Sequence, residues 1–358
     1  MGQFKRDKMT DDERAMAVFT GQPVDRVPVA AIGMGFNAVN VGYSIYDYYY
    51  DMEKAYDCWQ KTTEQYDNLG LPVGGYPAIG PWELGGEIIW PVGEYHQCPS
   101  SEPVPWETED DIWKLTVPEP EVLKTLGYMP RFLQFGRIAM SKGMPFALGM
   151  YGPWTTAGNI IGIDLLCKWA IKKPDLAHHV IRLATDFLVA VNKIFLDEFG
   201  PVGYIPTNST ASASNQLISP KQFQEFALPY IKEYHEKILA MGFPFIFIHI
   251  CGEQNLNYPY YVDVPLGTPG AVSVSHEVDL ETAIKYFPNS LIMGNIEPAV
   301  MQTGTAEEVY ELARIALEKG MKAPGGFVLA PGCELPPYTP PYNVWMLRKA
   351  VDDFGWYQ

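Results

Sequence analysis

Along most of the chain, short runs of apolar and β-branched residues alternate with helix-length amphipathic segments, which constrains the fold more than any other feature. "RVPVAAIG" (26–33) precedes a helical pattern at 45–68. "MPFALGMYG" (144–152) precedes patterns near 158–171 and 174–199. "GPVGYIPTNS" (200–209) leads into "SPKQFQEFALPYIKEYHEKILAMG", where Ser219 suits an N-cap, Pro220 the first helical position and Gly242 the end. A strand pattern at 244–251 follows. "AVSVSHE" (271–277) comes next with a helix from about 279, then "NSLIMGNIEP" (289–298) with a helix at 304–320. "GGFVLAPGCE" (325–334) and a helix from about 340 complete the series.

This order predicts a parallel sheet with helical crossovers in about seven or eight units. No GxGxxG follows the first strand and no linker divides the chain. The expected fold class is therefore α/β, a single (β/α)8 TIM barrel spanning 1–358. The Pro-, Trp- and Gly-rich stretch 80–118 breaks the alternation. It is expected to be an insertion in the N-terminal half, a hairpin over the barrel mouth.

Charge and apolar content narrow the function classes. Of 358 residues, 26 are Lys or Arg and 42 Asp or Glu, a net charge of −16. Such a surface repels phosphate backbones, so nucleic acid is not an expected partner. No apolar run is long enough to span a bilayer, and the charged start does not suit a signal peptide. The five cysteines (58, 98, 167, 251 and 333) are too sparse and too odd in number for a disulfide framework. Reduced thiols and a cytoplasmic location are expected, with no membrane contact.

One strand carries unusual side chains. "FIFIHICGE" (245–253) sets His249 two residues before Cys251, in a chain with only six histidines. Residues i and i+2 of a strand share a face, so both point the same way at its C-terminal end. In a barrel that end forms the functional rim. Cys333, just past the strand at 325–330, would reach the same rim although it lies 82 residues beyond Cys251. One His and two Cys suit zinc with a fourth position open. Taken alone, H-x-C is a weak signal and fits two packed core residues better than a metal site.

"HICG" followed by "PGCELPPYTPPYNV" resembles the H-x-C…C signature of zinc methyltransferases in the uroporphyrinogen decarboxylase-like superfamily. "DRVPV" (25–29), "GPWTTAG" (152–158), "LISPKQFQEFALPYIK" (217–232), "GNIEP" (294–298), "TGTAEEV" (303–309) and "TPPYNV" (339–344) match that superfamily in order. The resemblance spans nearly the whole chain and is weakest over 34–130. It implies a (β/α)8 barrel and a Zn2+ ion held by His249, Cys251 and Cys333. Decarboxylases of the superfamily carry an Arg-rich R-x-A-G-R-Y motif. Here "AAIGMGFNAVN" has no arginine, and Cys stands where they have His. A substrate with many carboxylates needs bidentate cations that this region lacks.

The resemblance further implies methyl transfer to or from the cobalt of a corrinoid (cobalamin). No D-x-H-x-x-G corrinoid motif occurs, so a separate corrinoid-binding protein is the expected partner. Two directions stay open: zinc presents a thiolate to methyl-cobalt, or it polarises a methyl ether for attack by Co(I). Tyrosines and tryptophans cluster at 43–51 and 76–91, which favours O-demethylation of a methoxylated aromatic ether. The alternative is a methylcorrinoid:thiol transferase of coenzyme M type. A porphyrinogen decarboxylase and a non-catalytic zinc-binding barrel rank lower. Glu297 and His276 are expected as catalytic or fourth-ligand groups, and Asn208 and Tyr151 as substrate-binding groups. Glu253 is a weaker ligand candidate. Asp25 and Arg26 are expected to pair near the barrel floor, with His178, His179 and His235 on helices as packing residues.

Overall fold

The computed structural model describes residues 7–31, 33–76, 78–93 and 97–357. Its centre is a ring of parallel strands. β1 (Val73–Gly74) pairs with β2 (Phe146–Leu148), and β2 with β3 (Tyr204–Ile205). β4 (Thr207–Ser209) continues the line of β3 beyond Pro206, which has no N–H to donate to a ladder. β4 pairs with β5 (Phe247–Ile250), β5 with β6 (Ala271–Val274), β6 with β7 (Leu291–Ile296), and β7 with β8 (Phe327–Pro331).

Single bridges close the ring. Tyr151 bridges Ser209 in parallel, joining the two sheets. Val29 bridges Leu329, with Ala30 N–H donating to Leu329 C=O and Leu329 N–H to Pro28 C=O. Leu69 N–H donates to Val29 C=O and joins that first extended segment to the strand ending in β1. Eight strand positions thus form a closed α/β barrel, as the alternation requires.

Period-2 patterning separates the two faces of each strand. In "FIFIHIC", Ile246, Ile248 and Ile250 are fully buried. Ile248 and Ile250 join the core between strands and outer helices, together with Val272, Val274, Ile292 and Leu329. Phe245 and Phe247 belong to a separate inner cluster with Ala30, Met293 and Ala330. Many of the inward residues are small.

Two helices differ from their sequence patterns. The helix expected over 219–242 is capped as predicted, with Ser219 and Gln222 in a reciprocal capping box. It then opens into a π-turn at Phe223–Ala227 before continuing as Leu228–Ala240. Pro229 supplies the reason: it cannot donate to the helical ladder and its ring crowds the preceding turn. The helix Pro174–Gly203 bends at Gly200–Pro201, so its regular part stops near the expected 199.

An antiparallel ribbon pairs Ile88–Ile89 with Ser100–Ser101. Beyond it, the Gln97 carbonyl lies against Gly35, and the Gln97 side chain hydrogen-bonds the Glu334 carboxyl. At the opposite end of the barrel, Asp25 pairs with Arg14 at 2.8 Å, Arg26 with Asp7 at 2.8 Å, and Arg348 with Asp67 at 2.7 Å. Asp25 and Arg26 thus sit at the floor in ion pairs, each with other partners. Asp7 lies 3.4 Å from Arg14 and 3.8 Å from Arg348, and so links the N-terminal helix to the C-terminal helix Pro341–Phe354 beneath the strands. Burial raises the Asp25 carboxyl, but Arg14 and the N–H groups of Lys8 and Met9 prevail and hold it at about 2.

A His/Cys/Cys cluster at the barrel mouth

His249 lies on the inward face of β5, and Cys251 follows one residue beyond the strand. Gly252 then turns the chain at φ +74°, a conformation that disfavours any side chain. Cys333 comes from the loop after β8. Gly332, just before it, passes so close to the backbone of His276 that a Cβ would sit 2.5 Å from the His276 nitrogen. That contact brings the β8 loop across to the end of β6. The ligand atoms of His249, Cys251 and Cys333 all lie within 4.8 Å of one another, and the two sulfurs are 3.9 Å apart. All the cysteines named above are free thiols.

His249 Nδ1 is 3.0 Å from the Ser273 hydroxyl, on the residue paired with it in β6. His249 Nε2 is buried and has no hydrogen-bond partner. A buried imidazole nitrogen without a partner is costly unless something meets it. With Nδ1–H donating to Ser273, Nε2 keeps its lone pair for a metal. Two thiols complete a soft donor set. The residues fit a zinc ion with one position left for substrate.

The two thiols share one hydrogen bond. A hydrogen bond from Cys251 holds Cys333 far below the usual thiol range, and the same contact holds the Cys251 proton in place. Behind them, Gln254 Nε2 donates to the Cys251 carbonyl at 2.8 Å and to Thr210 at 3.0 Å. Tyr261 hydroxyl donates to Gln254 Oε1 at 2.8 Å, so the loop after β5 hangs on a buried polar network.

The other expected site residues divide between two places. Asn208 and Tyr151 line the barrel cavity together with His249 and Cys333. Asn208 is fully buried and its Nδ2 donates to His235 Nε2 at 2.7 Å. His235 Nδ1–H bonds the Pro265 carbonyl, and burial pushes its pKa down to about 4. It is a neutral core histidine that anchors Asn208. Tyr151 has its hydroxyl pushed up by burial.

Glu297 and His276 are not brought to the cluster. Both line a smaller outer cavity with Asp279 and Lys319, where His276 is exposed. His276 follows β6, where its side chain leaves the inward face; Glu297 stands at the N-cap position of the helix Pro298–Thr303 without a side-chain capping bond. Glu253 Oε1 accepts from Asn255 and turns into its own loop. His178 and His179 bond Tyr230 and the Ile112 carbonyl at helix contacts. Of the aromatics at 43–51 and 76–91, only Tyr48 lines the barrel cavity; Tyr46, Tyr50 and Trp90 pack on one another.

Sequence reasoning passed over Glu334, Glu277 and Ser273. Glu334 lines the cavity next to Cys333 and accepts from the N–H groups of Met34 and Gly35. Burial pushes it up to about 7. Its signal was the acid directly after Cys333. The charge of Glu277 helps raise the Cys251 thiol, and its carboxylate lies near Gly252.

Comparisons with known proteins found similarity along nearly the whole chain. Residues 10–354 match the family model described as "Uroporphyrinogen decarboxylase (URO-D)". A methylcobamide:CoM methyltransferase of Methanosarcina barkeri is 26% identical over 363 residues, covering 95% of this chain and 97% of that protein. A methylated-thiol–coenzyme M methyltransferase of Methanosarcina mazei is 29% identical over 245 residues, covering 66% of this chain and 61% of that protein. Among solved structures, a methyltransferase from Methanosarcina mazei superposes with a TM-score of 0.78 at 25% identity, covering 97% of this chain and 99% of that one.

Proposed function

The chain belongs to the uroporphyrinogen decarboxylase (URO-D) family, and within it we propose a zinc-dependent methyltransferase that works with a separate corrinoid protein. It moves a methyl group between a small substrate and the corrinoid cobalt. The observation that carries this reading is the His249/Cys251/Cys333 cluster with its buried, partnerless Nε2. The barrel mouth, with the stretch 80–118 read as an insertion beside it, receives the corrinoid partner.

His249, Cys251 and Cys333 would hold the ion. Zinc supplies Lewis acidity, which lowers the pKa of a thiol so that it reacts as a thiolate. Ser273 orients the His249 ring. Gln254, Thr210 and Tyr261 hold the loop that carries Cys251, so the donors are fixed before substrate arrives. A corrinoid on the partner protein would supply an electrophilic methyl group, and the thiol held beside His249, Cys251 and Cys333 would supply the electron pair for the new S–C bond after giving its proton to solvent.

The thiol acceptor takes precedence over the aromatic ether favoured from sequence. The relatives' names support thiol chemistry, and Tyr48 apart, the aromatics of the tyrosine-rich segments lie outside the cavity lining. Two thiolate ligands also make zinc electron-rich, which favours activating a sulfur nucleophile over polarising an ether oxygen.

The test is metal analysis combined with methylcobalamin turnover. Purified protein should hold about one zinc per chain and convert methylcobalamin to Co(I) when given a thiol, read by absorbance. Cys333→Ala should lose both zinc and turnover while circular dichroism stays unchanged. Full turnover in Cys333→Ala would refute the reading, and loss of the fold on zinc removal would point to a structural metal instead.

A further inference from the structure

The interior of the barrel beneath the cluster is not filled. A cavity of about 230 Å³ runs from His249 and Cys333 at the mouth down to Phe19 and Phe245, whose rings stack 6.3 Å apart as its floor. That exceeds the roughly 150 Å³ apolar void that holds benzene in an engineered core. TIM barrels usually pack this space with branched side chains. Here Ala30, Ala147, Gly149 and Ala330 stand at inward positions along three strands. A Cβ on Gly149 would meet only Met34 Cε, at 3.8 Å.

The wall has a one-sided chemistry. Among the described residues it contains no lysine and no arginine, and its only carboxylate is Glu334. The backbone N–H groups of Met34 and Gly35, at the start of the helix Met34–Asn40, are taken by that same carboxylate. Zinc with two thiolates and a neutral imidazole adds no net charge. The chain as a whole is acidic. An anionic group placed here would be buried without a cationic partner and beside a carboxylate. Met34, Met150 and Met293 offer adaptable apolar contact instead.

We infer that the methyl-accepting substrate is an uncharged thiol with an apolar, ring-sized body held inside the barrel, and not a sulfonated or carboxylated thiol. This rests on the methyltransferase reading above. The methyl carbon must reach a sulfur lone pair from the open mouth, where the corrinoid partner takes up the space outside. The body of the substrate therefore points inward during transfer and must suit the cavity. The relatives named for coenzyme M act on a sulfonate, so this chain would differ from them at the substrate's far end.

Calorimetry on the zinc-loaded protein tests this with phenylmethanethiol and 2-mercaptoethanesulfonate, and turnover of methylcobalamin is measured with each. The neutral thiol should bind on the order of tenfold or more tightly. Gly149→Leu should weaken it by a similar factor without loss of zinc. Ala147→Leu serves if that variant does not fold. Toluene, which has no thiol, reads the cavity alone and should compete with phenylmethanethiol in the wild type but not bind Gly149→Leu. Equal or tighter binding of the sulfonate would overturn the inference, as would failure of toluene to compete. Absence of zinc and of transfer with every thiol, with toluene still bound, would instead overturn the methyltransferase reading.

Discussion

Ser273 and His235 show how single side chains set the state of a neighbour. Ser273 holds the Nδ1 side of His249 and so aims Nε2 at the two sulfurs. Ser273→Ala should lower zinc affinity by roughly 10–100-fold, measured by competition with a chromophoric chelator; unchanged affinity would remove Ser273 from the site. His235 has a folded pKa of about 4 against 6.5 for the free group. The unfolded chain therefore binds the extra proton between those values. Stability from this residue is complete above about pH 6.5 and lost as pH falls towards 4, a difference of about 3 kcal/mol. Urea unfolding of wild type and His235→Gln at pH 7 and pH 4 checks it. The variant should be less stable at pH 7 and less sensitive to the change.

At the scale of elements, strand alternation decides which chemistry faces inward. Ile246, Ile248 and Ile250 commit one face of β5 to the outer helices, which leaves Phe245, Phe247 and His249 no choice but the barrel interior. Helix approach is equally specific. Gly136, in the helix Met129–Ser141, lies where a Cβ would sit 2.5 Å from Phe146 and 2.6 Å from Phe199. Both rings are part of a packed aromatic cluster and cannot withdraw easily. Gly136→Ala should destabilise the chain by about 1–3 kcal/mol despite the better helix propensity of alanine. A thermal scan showing no loss would mean the helix can move outward.

For the whole molecule, barrel closure places three loops on one face. Asn215 Oδ1 accepts from Leu256 N–H, joining the loops after β4 and β5, and the loop after β8 brings Tyr338 to the same end. Leu217, Leu256 and Tyr338 are 52%, 60% and 47% exposed there and offer apolar contact to a partner. Under the proposed function that partner is the corrinoid protein. Leu256→Glu and Tyr338→Glu should raise KM for methylated corrinoid protein on the order of tenfold and leave turnover of free methylcobalamin unchanged. An equal loss with both donors would place the defect elsewhere. None of the described helices is long and apolar enough to cross a membrane.

The sequence by itself determined the alternation of strands and helices, because their periods are local properties repeated along the chain. It determined that His249 and Cys251 are near neighbours at a strand end, because two-residue spacing is also local. It singled out Cys333 by residue type and position, although its contact with Cys251 spans 82 residues and exists only once the ring closes. Only the tertiary structure decided that Ser273 stands opposite His249, that Glu334 caps the helix at Met34, and that His276 and Glu297 face another cavity. Those facts depend on register between strands and on loop paths, which no local pattern records. The open interior is of the same kind: each small residue looks ordinary in its own strand, and the space appears only where several of them meet.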